Sequence, residues 1–248
     1  SLHDALPIYM LSKLTTDAAI DTEKDSIGGG GTVESGVYKL KINTAYLKTS
    51  DGGALALVVD ATTSDGREIR QTLWMTSGTA KGGNNYYVDK SGNKQYLPGF
   101  NMANSLALLT CGKEISQLDT EKKVVNIWSS ELKTDVPTTV DMLMDLVNKE
   151  VIAGIIKQTV DKTTKDNAGN YVPTGETRDE NEIDKLFRAS DSLTTAEIRG
   201  QVTEPTFINT WSTKWSGKTR VKVSKTPPGT GAKPTPGATQ KPTTSLFG

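Results

Sequence analysis

Cysteine and histidine are almost absent from this chain of 248 residues, with Cys111 and His3 the single examples of each. One thiol cannot form an internal disulfide or a cysteine-built zinc cluster, and it fits a reducing cytoplasm. One imidazole near the N-terminus leaves the folded part without a Ser-His-Asp triad, a Cys-His pair or a His-based metal site. Long apolar runs are missing as well. Nothing approaches the roughly 20 residues that cross a bilayer, and the start lacks the basic-then-apolar pattern of a signal peptide, so the expectation is a cytoplasmic protein with no membrane association. Charge excess is also lacking: 29 Lys plus Arg balance 29 Asp plus Glu. Attraction to a polyanion would therefore have to come from local clustering.

Several stretches cannot contribute to a core. Residues 1–9 read as the in-frame translation of a short-read sequencing adapter, which would put the natural start at Met10, and they are set aside from fold reasoning. Residues 10–36 are polar, end in Gly28-Gly29-Gly30-Gly31 and read as a flexible lead. No Lys-Ser/Thr follows these glycines, so they are not a phosphate cradle. Residues 200–223 read as an extension in which Phe207, Ile208, Trp211 and Trp215 offer burial. Residues 224–248 are rich in Pro, Gly, Thr and Lys with no acid, and read as a disordered tail.

Between these ends, residues 37–199 carry the pattern of one β-rich domain. Apolar and polar residues alternate from Val37 to about Lys48, the period of a half-buried strand. Asp51-Gly52-Gly53 and Asp65-Gly66 supply tight turns on either side of an apolar strand over residues 54–62. A third strand covers residues 67–75, with Ile69, Leu73 and Met75 on one face and Arg70, Thr72 and Trp74 on the other. A polar insertion, residues 77–99, then reads as a projecting hairpin that turns at Ser91-Gly92-Asn93. Asn101 is the expected N-cap of a short helix presenting Met102, Leu106 and Leu109 and ending at Gly112. Residues 123–128 read as a fourth strand and 151–160 as a fifth. Val140, Leu143, Met144 and Val147 between them have helical spacing, although a strand also fits. Residues 161–184 read as a second hairpin or loop, and residues 193–199 as a short helix.

Three meander strands, a helix and two closing strands follow the element order of a five-stranded oligonucleotide/oligosaccharide-binding (OB) barrel, with the helix between strands three and four. The runs Thr72-Leu73-Trp74-Met75-Thr76-Ser77-Gly78, Lys81-Gly82-Gly83-Asn84-Asn85-Tyr86-Tyr87 and Tyr96-Leu97-Pro98-Gly99-Phe100 belong to this frame. With Lys157-Gln158-Thr159-Val160-Asp161-Lys162 and Asn181-Glu182-Ile183-Asp184-Lys185, they resemble a family of bacteriophage single-stranded-DNA-binding proteins, over roughly residues 35–189. The resemblance implies an OB-type barrel acting in phage DNA replication or recombination in the bacterial host. It departs from the cellular single-strand-binding proteins in lacking their acidic C-terminal tip, so partner docking through such a tip does not carry over.

The residues support the same chemistry independently. Sequence-tolerant binding of single strands needs aromatic faces for unstacked bases, worth about 1–3 kcal/mol per base, interleaved with cations for the phosphates. Residues 67–100 hold Trp74, Tyr86, Tyr87, Tyr96 and Phe100 beside Arg67, Arg70, Lys81, Lys90 and Lys94, against Glu68 and Asp89. Lys162 and Lys165 extend the cationic set on the second hairpin. The expected interface is thus Arg67, Arg70, Trp74, Lys81, Tyr86, Tyr87, Lys90, Lys94, Tyr96 and Lys162. Trp74 has one core-facing and one open alternative, Tyr86 and Tyr87 should divide between packing and stacking, and Phe100 is more naturally core.

No cofactor, metal or catalytic role is expected. Asp179, Glu180, Glu182 and Asp184 lack the spacing of a two-metal nuclease, and Ser216-Gly217-Lys218-Thr219 lacks the leading glycine of a phosphate loop. The rival reading is a virion structural or adaptor protein whose aromatics anchor protein contacts. A sugar-binding barrel would leave the cations without a purpose. Ser245-Leu246-Phe247-Gly248 offers two apolar residues as a docking motif for phage replication proteins, with Lys225, Lys233 and Lys241 adding weak attraction to DNA.

Overall fold

Alternating apolar residues, punctuated by glycine turns, build most of the molecule. The computed structural model describes residues 31–224 apart from residues 130 and 168. The adapter-like segment, the lead up to residue 30, the tail from residue 225 and its closing Ser245-Leu246-Phe247-Gly248 lie outside the described residues. Strands β1 (Gly36–Thr49), β2 (Leu55–Thr63) and β3 (Glu68–Trp74) form an antiparallel meander. Positive φ at Gly53 and Gly66 serves the two tight turns. The insertion carries a short hairpin of β4 (Tyr86–Val88) and β5 (Lys94–Tyr96), followed by helix α1 (Pro98–Cys111). Next come β6 (Glu121–Ser129), β7 (Thr134–Met142), the long pair β8 (Glu150–Lys165) and β9 (Tyr171–Arg188), helices α2 (Thr195–Arg199) and α3 (Phe207–Trp215), and β10 (Thr219–Lys222).

The fold is mainly β, and its main sheet has eight strands among the described residues, ordered β10-β8-β1-β2-β3, with β9 on β8 and the β6–β7 hairpin attached through β1. The pairing is antiparallel except where β10 runs parallel to β8. The expected closed five-stranded barrel is not what forms, because β3 and β9 do not share a backbone ladder and the sheet stays open between them. The physical reason lies at Gln71. Its side-chain oxygen, not a strand carbonyl, takes the Ile183 N–H at 3.0 Å, so the two edges are bridged by a side chain and held apart.

The inner face of the sheet packs on α1. Leu40, Ile42, Leu57, Ile155 and Leu186 from the strands meet Leu106 and Leu109 from the helix in one buried cluster. Two smaller clusters cover the outer face. Val140 and Met142 of β7 pack on Tyr46 and Val58, and Trp211 of α3 packs on Ile156 and Phe187. At about 25 cal/mol per Å² of apolar area, such burial is the main favourable contribution to folding.

One local expectation is corrected, and three open ones are decided. Helix α1 begins at Pro98, with Leu97 and not Asn101 as its N-cap, since proline's missing N–H costs nothing in the first turn. Of the two alternatives around Val140, the strand forms, over residues 134–142. Val136, Thr138, Thr139 and Val140 favour extended backbone and β6 offers a partner, and a 3-10 turn at Met144–Leu146 then delivers Leu146 to the core. The segment from residue 161 to 184 forms a hairpin that turns between Lys165 and Tyr171, and its arms are continuous with β8 and β9. The extension after residue 200 packs on the sheet through α3 and β10, with Trp211 buried. Among the described residues, no helix is long and apolar enough to cross a membrane.

Candidate nucleic-acid interface

The seam between β3 and β9 opens into a cleft of about 870 Å³. One wall is the end of β3, with Thr72 and Trp74. The facing wall is Glu182, Ile183 and Asp184 of β9, and the insertion closes the third side with Lys81, Tyr86 and Tyr87. Trp74 is 41% exposed and Tyr87 49%, so both present ring surface to solvent. The strand alternation accounts for this: Ile69 and Leu73 are buried, while Trp74 falls on the opposite face.

The insertion is fixed to the body. Thr79 N–H donates to the Gly52 carbonyl at 2.9 Å, and within the insertion Ser77 N–H donates to the Asn84 carbonyl at 2.8 Å. The hairpin tip is held by Asp89, whose carboxylate accepts from the N–H groups of Ser91 and Asn93, both at 2.9 Å. The Asn93 contact leads the hydrogen bonds that hold the Asp89 carboxyl below its ordinary pKa. Gly99 sets how closely α1 approaches β3, since a Cβ there would lie 2.2 Å from the Trp74 carbonyl oxygen. Only glycine permits that approach.

On the hairpin, Tyr86 pairs across to Tyr96, and Tyr87 to Gln95. Lys94 Nζ sits 4.5 Å from the centre of the Tyr86 ring, and Tyr96 lies 4.9 Å from Phe100 with the rings tilted by 40°. Tyr86, Lys94 and Tyr96 therefore line a second depression with Asn85, beside the cleft. Tyr86 is half-buried and Tyr87 exposed, while Phe100 is half-buried against the core cluster.

Trp74, Lys81, Tyr86 and Tyr87 are thus brought together, with Lys94 and Tyr96 adjacent. The remaining expected residues are not part of that group. Arg67 pairs with Asp65 at 3.1 Å in the β2–β3 turn. Arg70 is held by Asp60, with Nη2 3.1 Å from Oδ2, and borders a separate depression with Asn43 and Glu68. Lys90 is exposed beside the hairpin turn. Lys162 pairs with Glu176 at 2.9 Å towards the far end of β8 and β9. The cations that residues 67–100 bring together in sequence are therefore dispersed in space.

Sequence reasoning did not foresee the acidic wall. Residues 161–184 read as a hairpin or loop, and the alternation Glu182-Ile183-Asp184 is a strand signal, with the isoleucine inward and the acids outward. Both acids are engaged. Arg220 approaches Glu182 at 2.8 Å and Asp184 at 3.3 Å, Lys222 reaches Glu182 at 3.0 Å, and Trp211 Nε1–H donates to Asp184 at 2.8 Å. Burial pulls the Glu182 pKa up, but Lys222 and Arg220 outweigh it and leave the carboxyl below its ordinary value. Asp179 accepts from Thr159 and Glu180 from Gln158. Among the described residues, no group of three or more His, Cys, Asp or Glu side chains is arranged to hold a metal ion. Gly217, in the segment that resembles a phosphate loop, is a positive-φ turn whose N–H donates to the Ser35 carbonyl at 2.8 Å. Compared with protein-family models and with curated proteins, the chain matches none.

Proposed function

We propose that this protein binds single-stranded DNA without sequence preference, protecting exposed strands during phage DNA replication or recombination, and that it performs no catalysis of its own. The observation that carries the reading is the cleft of about 870 Å³, in which the open rings of Trp74 and Tyr87 meet Lys81 and the half-buried Tyr86. Unstacked bases need such faces, and a phosphate backbone needs a cation beside them. A duplex keeps its bases stacked and cannot use the rings. Strand order supports the same reading. The path β3-β2-β1-β8-β9, with α1 following β3, is compatible with the strand order of an OB barrel left open at its last seam.

The test is a comparison of oligo-dT with duplex DNA over a salt series. Affinity for the single strand should be higher, and log K should fall with log salt by about 0.7 per phosphate neutralised. Binding that is independent of salt, or stronger to duplex, would refute the reading. A virion structural or adaptor role is the second reading, favoured by a different feature. Val124 and Trp128 of β6, with Leu132 in the turn after it, are all more than half exposed on one hairpin, as a protein-contact surface would require. That role predicts no shift of fluorescent single-stranded DNA in a gel and co-purification with phage particles.

A further inference from the structure

The β9 wall poses an electrostatic problem for the proposed ligand. Glu182 and Asp184 border the cleft, and two uncompensated carboxylates there would oppose every phosphate that enters. Their compensation comes from the C-terminal end of the described chain. Arg220 lies on β10, which pairs with β8 through Gln158, and its side chain crosses to β9. Its side chain is 20% exposed and all three of its nitrogens are engaged: Nη2 and Nε donate to the Gln158 side-chain oxygen at 2.7 and 3.1 Å, Nη2 also approaches Glu182 at 2.8 Å, and Nη1 approaches Asp184 at 3.3 Å. The ring of Trp215 lies 5.7 Å from its centre and limits its movement. Lys222, two residues on, is half exposed and adds a second cation at Glu182.

We infer that Arg220 and Lys222 are positioning residues of the single-stranded-DNA cleft, cancelling the charge of Glu182 and Asp184 so that its β9 wall accepts phosphate. The inference rests on the reading of the cleft as a DNA site. It makes α3 and β10 part of the binding apparatus, not a trailing extension. Trp211 fixes α3 on β8 by lying against Gly154, where a Cβ would meet its ring at 2.7 Å. The same helix thereby fixes where β10 begins.

The experiment measures dissociation constants for oligo-dT at low and high salt for the full chain and three variants. Lys222→Gln changes a half-exposed side chain and leaves one uncompensated acid. At low salt it should bind about threefold more weakly, with a smaller difference at high salt, where charges are screened. Arg220→Gln with Lys222→Gln leaves two and should bind about tenfold more weakly, equivalent to ~1.4 kcal/mol. Adding Glu182→Gln and Asp184→Asn to that pair should restore affinity to within about twofold of the starting protein, which a purely structural role for the cations would not do. Unchanged affinity in Lys222→Gln, a loss that salt does not diminish, or no rescue by the neutral acids would overturn the inference while leaving the DNA reading intact. An unaltered protein that fails to bind oligo-dT would overturn the DNA reading, and this inference with it.

Discussion

Glu197 is the buried carboxylate on which the C-terminal packing turns, and replacing it with glutamine has a calculable consequence. One oxygen accepts from the Thr194 N–H at 2.9 Å and the Thr194 hydroxyl at 3.0 Å; the other accepts from the N–H groups of Thr206 and Phe207 at 2.9 and 2.8 Å and from the Thr206 hydroxyl at 3.0 Å. Burial pulls the Glu197 pKa up, but the donors from Thr194, Phe207 and Thr206 prevail and hold it at about 2, against an ordinary 4.5. A depressed folded pKa stabilises the protein fully above the unfolded value. That contribution fades as pH falls from about 5 towards 2. The gap of about 2.5 pH units corresponds to on the order of 3 kcal/mol. In Glu197→Gln, one of the two acceptors becomes an amide that points donors at backbone N–H groups. Urea unfolding at pH 7 should therefore show the variant about 2–3 kcal/mol less stable, with the difference shrinking towards zero near pH 2. A difference that is constant with pH, or no difference at neutral pH, would refute the reasoning. The other depressed carboxyls, Asp65, Asp89, Glu176, Glu182 and Asp191, contribute equally to both proteins and cancel in the comparison.

Three further outcomes are expected. Gly99→Ala should cost about 1–3 kcal/mol and weaken oligo-dT binding, because its methyl group must push α1 away from the Trp74 backbone; retained stability and affinity together would show that the close approach is unimportant. Gly154→Ala should shift Trp211, lowering the thermal midpoint and changing near-UV circular dichroism, and an unchanged spectrum would count against the tight packing of α3. Arg70→Ala and Lys162→Ala, each removing a cation already paired away from the cleft, should change oligo-dT affinity by less than about twofold in a fluorescence titration. A tenfold loss in either would move the binding path onto the outer sheet.

Much of the first half of the fold was legible because its contacts are local. Val37 to Lys48 alternates cleanly, Asp-Gly turns separate the meander strands, and Leu106 and Leu109 have the spacing of a buried helix face. The ambiguity at Val140, Leu143, Met144 and Val147 arose because their spacing is helical while Val136, Thr138, Thr139 and Val140 are β-branched and favour a strand. What decided it was β6, a partner that no local pattern reveals. The pairing of β8 with β1 and with β10 was hidden for the same reason. Thr219-Arg220-Val221-Lys222 is too short to show a period, and it becomes a strand through its pairing with β8. At the candidate site, the aromatic cluster could be read from composition. The dispersal of Arg67, Arg70 and Lys162 could not, since each is claimed by a neighbouring acid, and the acidic wall depends on β9 lying across from β3.

The central claim is that the cleft beside β3 takes the bases of a single strand, and Trp74 reports on it directly. Of the four tryptophans, Trp211 is buried and Trp128 stands on the β6–β7 hairpin away from the cleft. Titration with oligo-dT should quench the intrinsic fluorescence; Trp74→Phe should remove most of that quenching, and Trp128→Phe should retain it. Quenching that survives in Trp74→Phe but disappears in Trp128→Phe would contradict the account, as would no quenching at all.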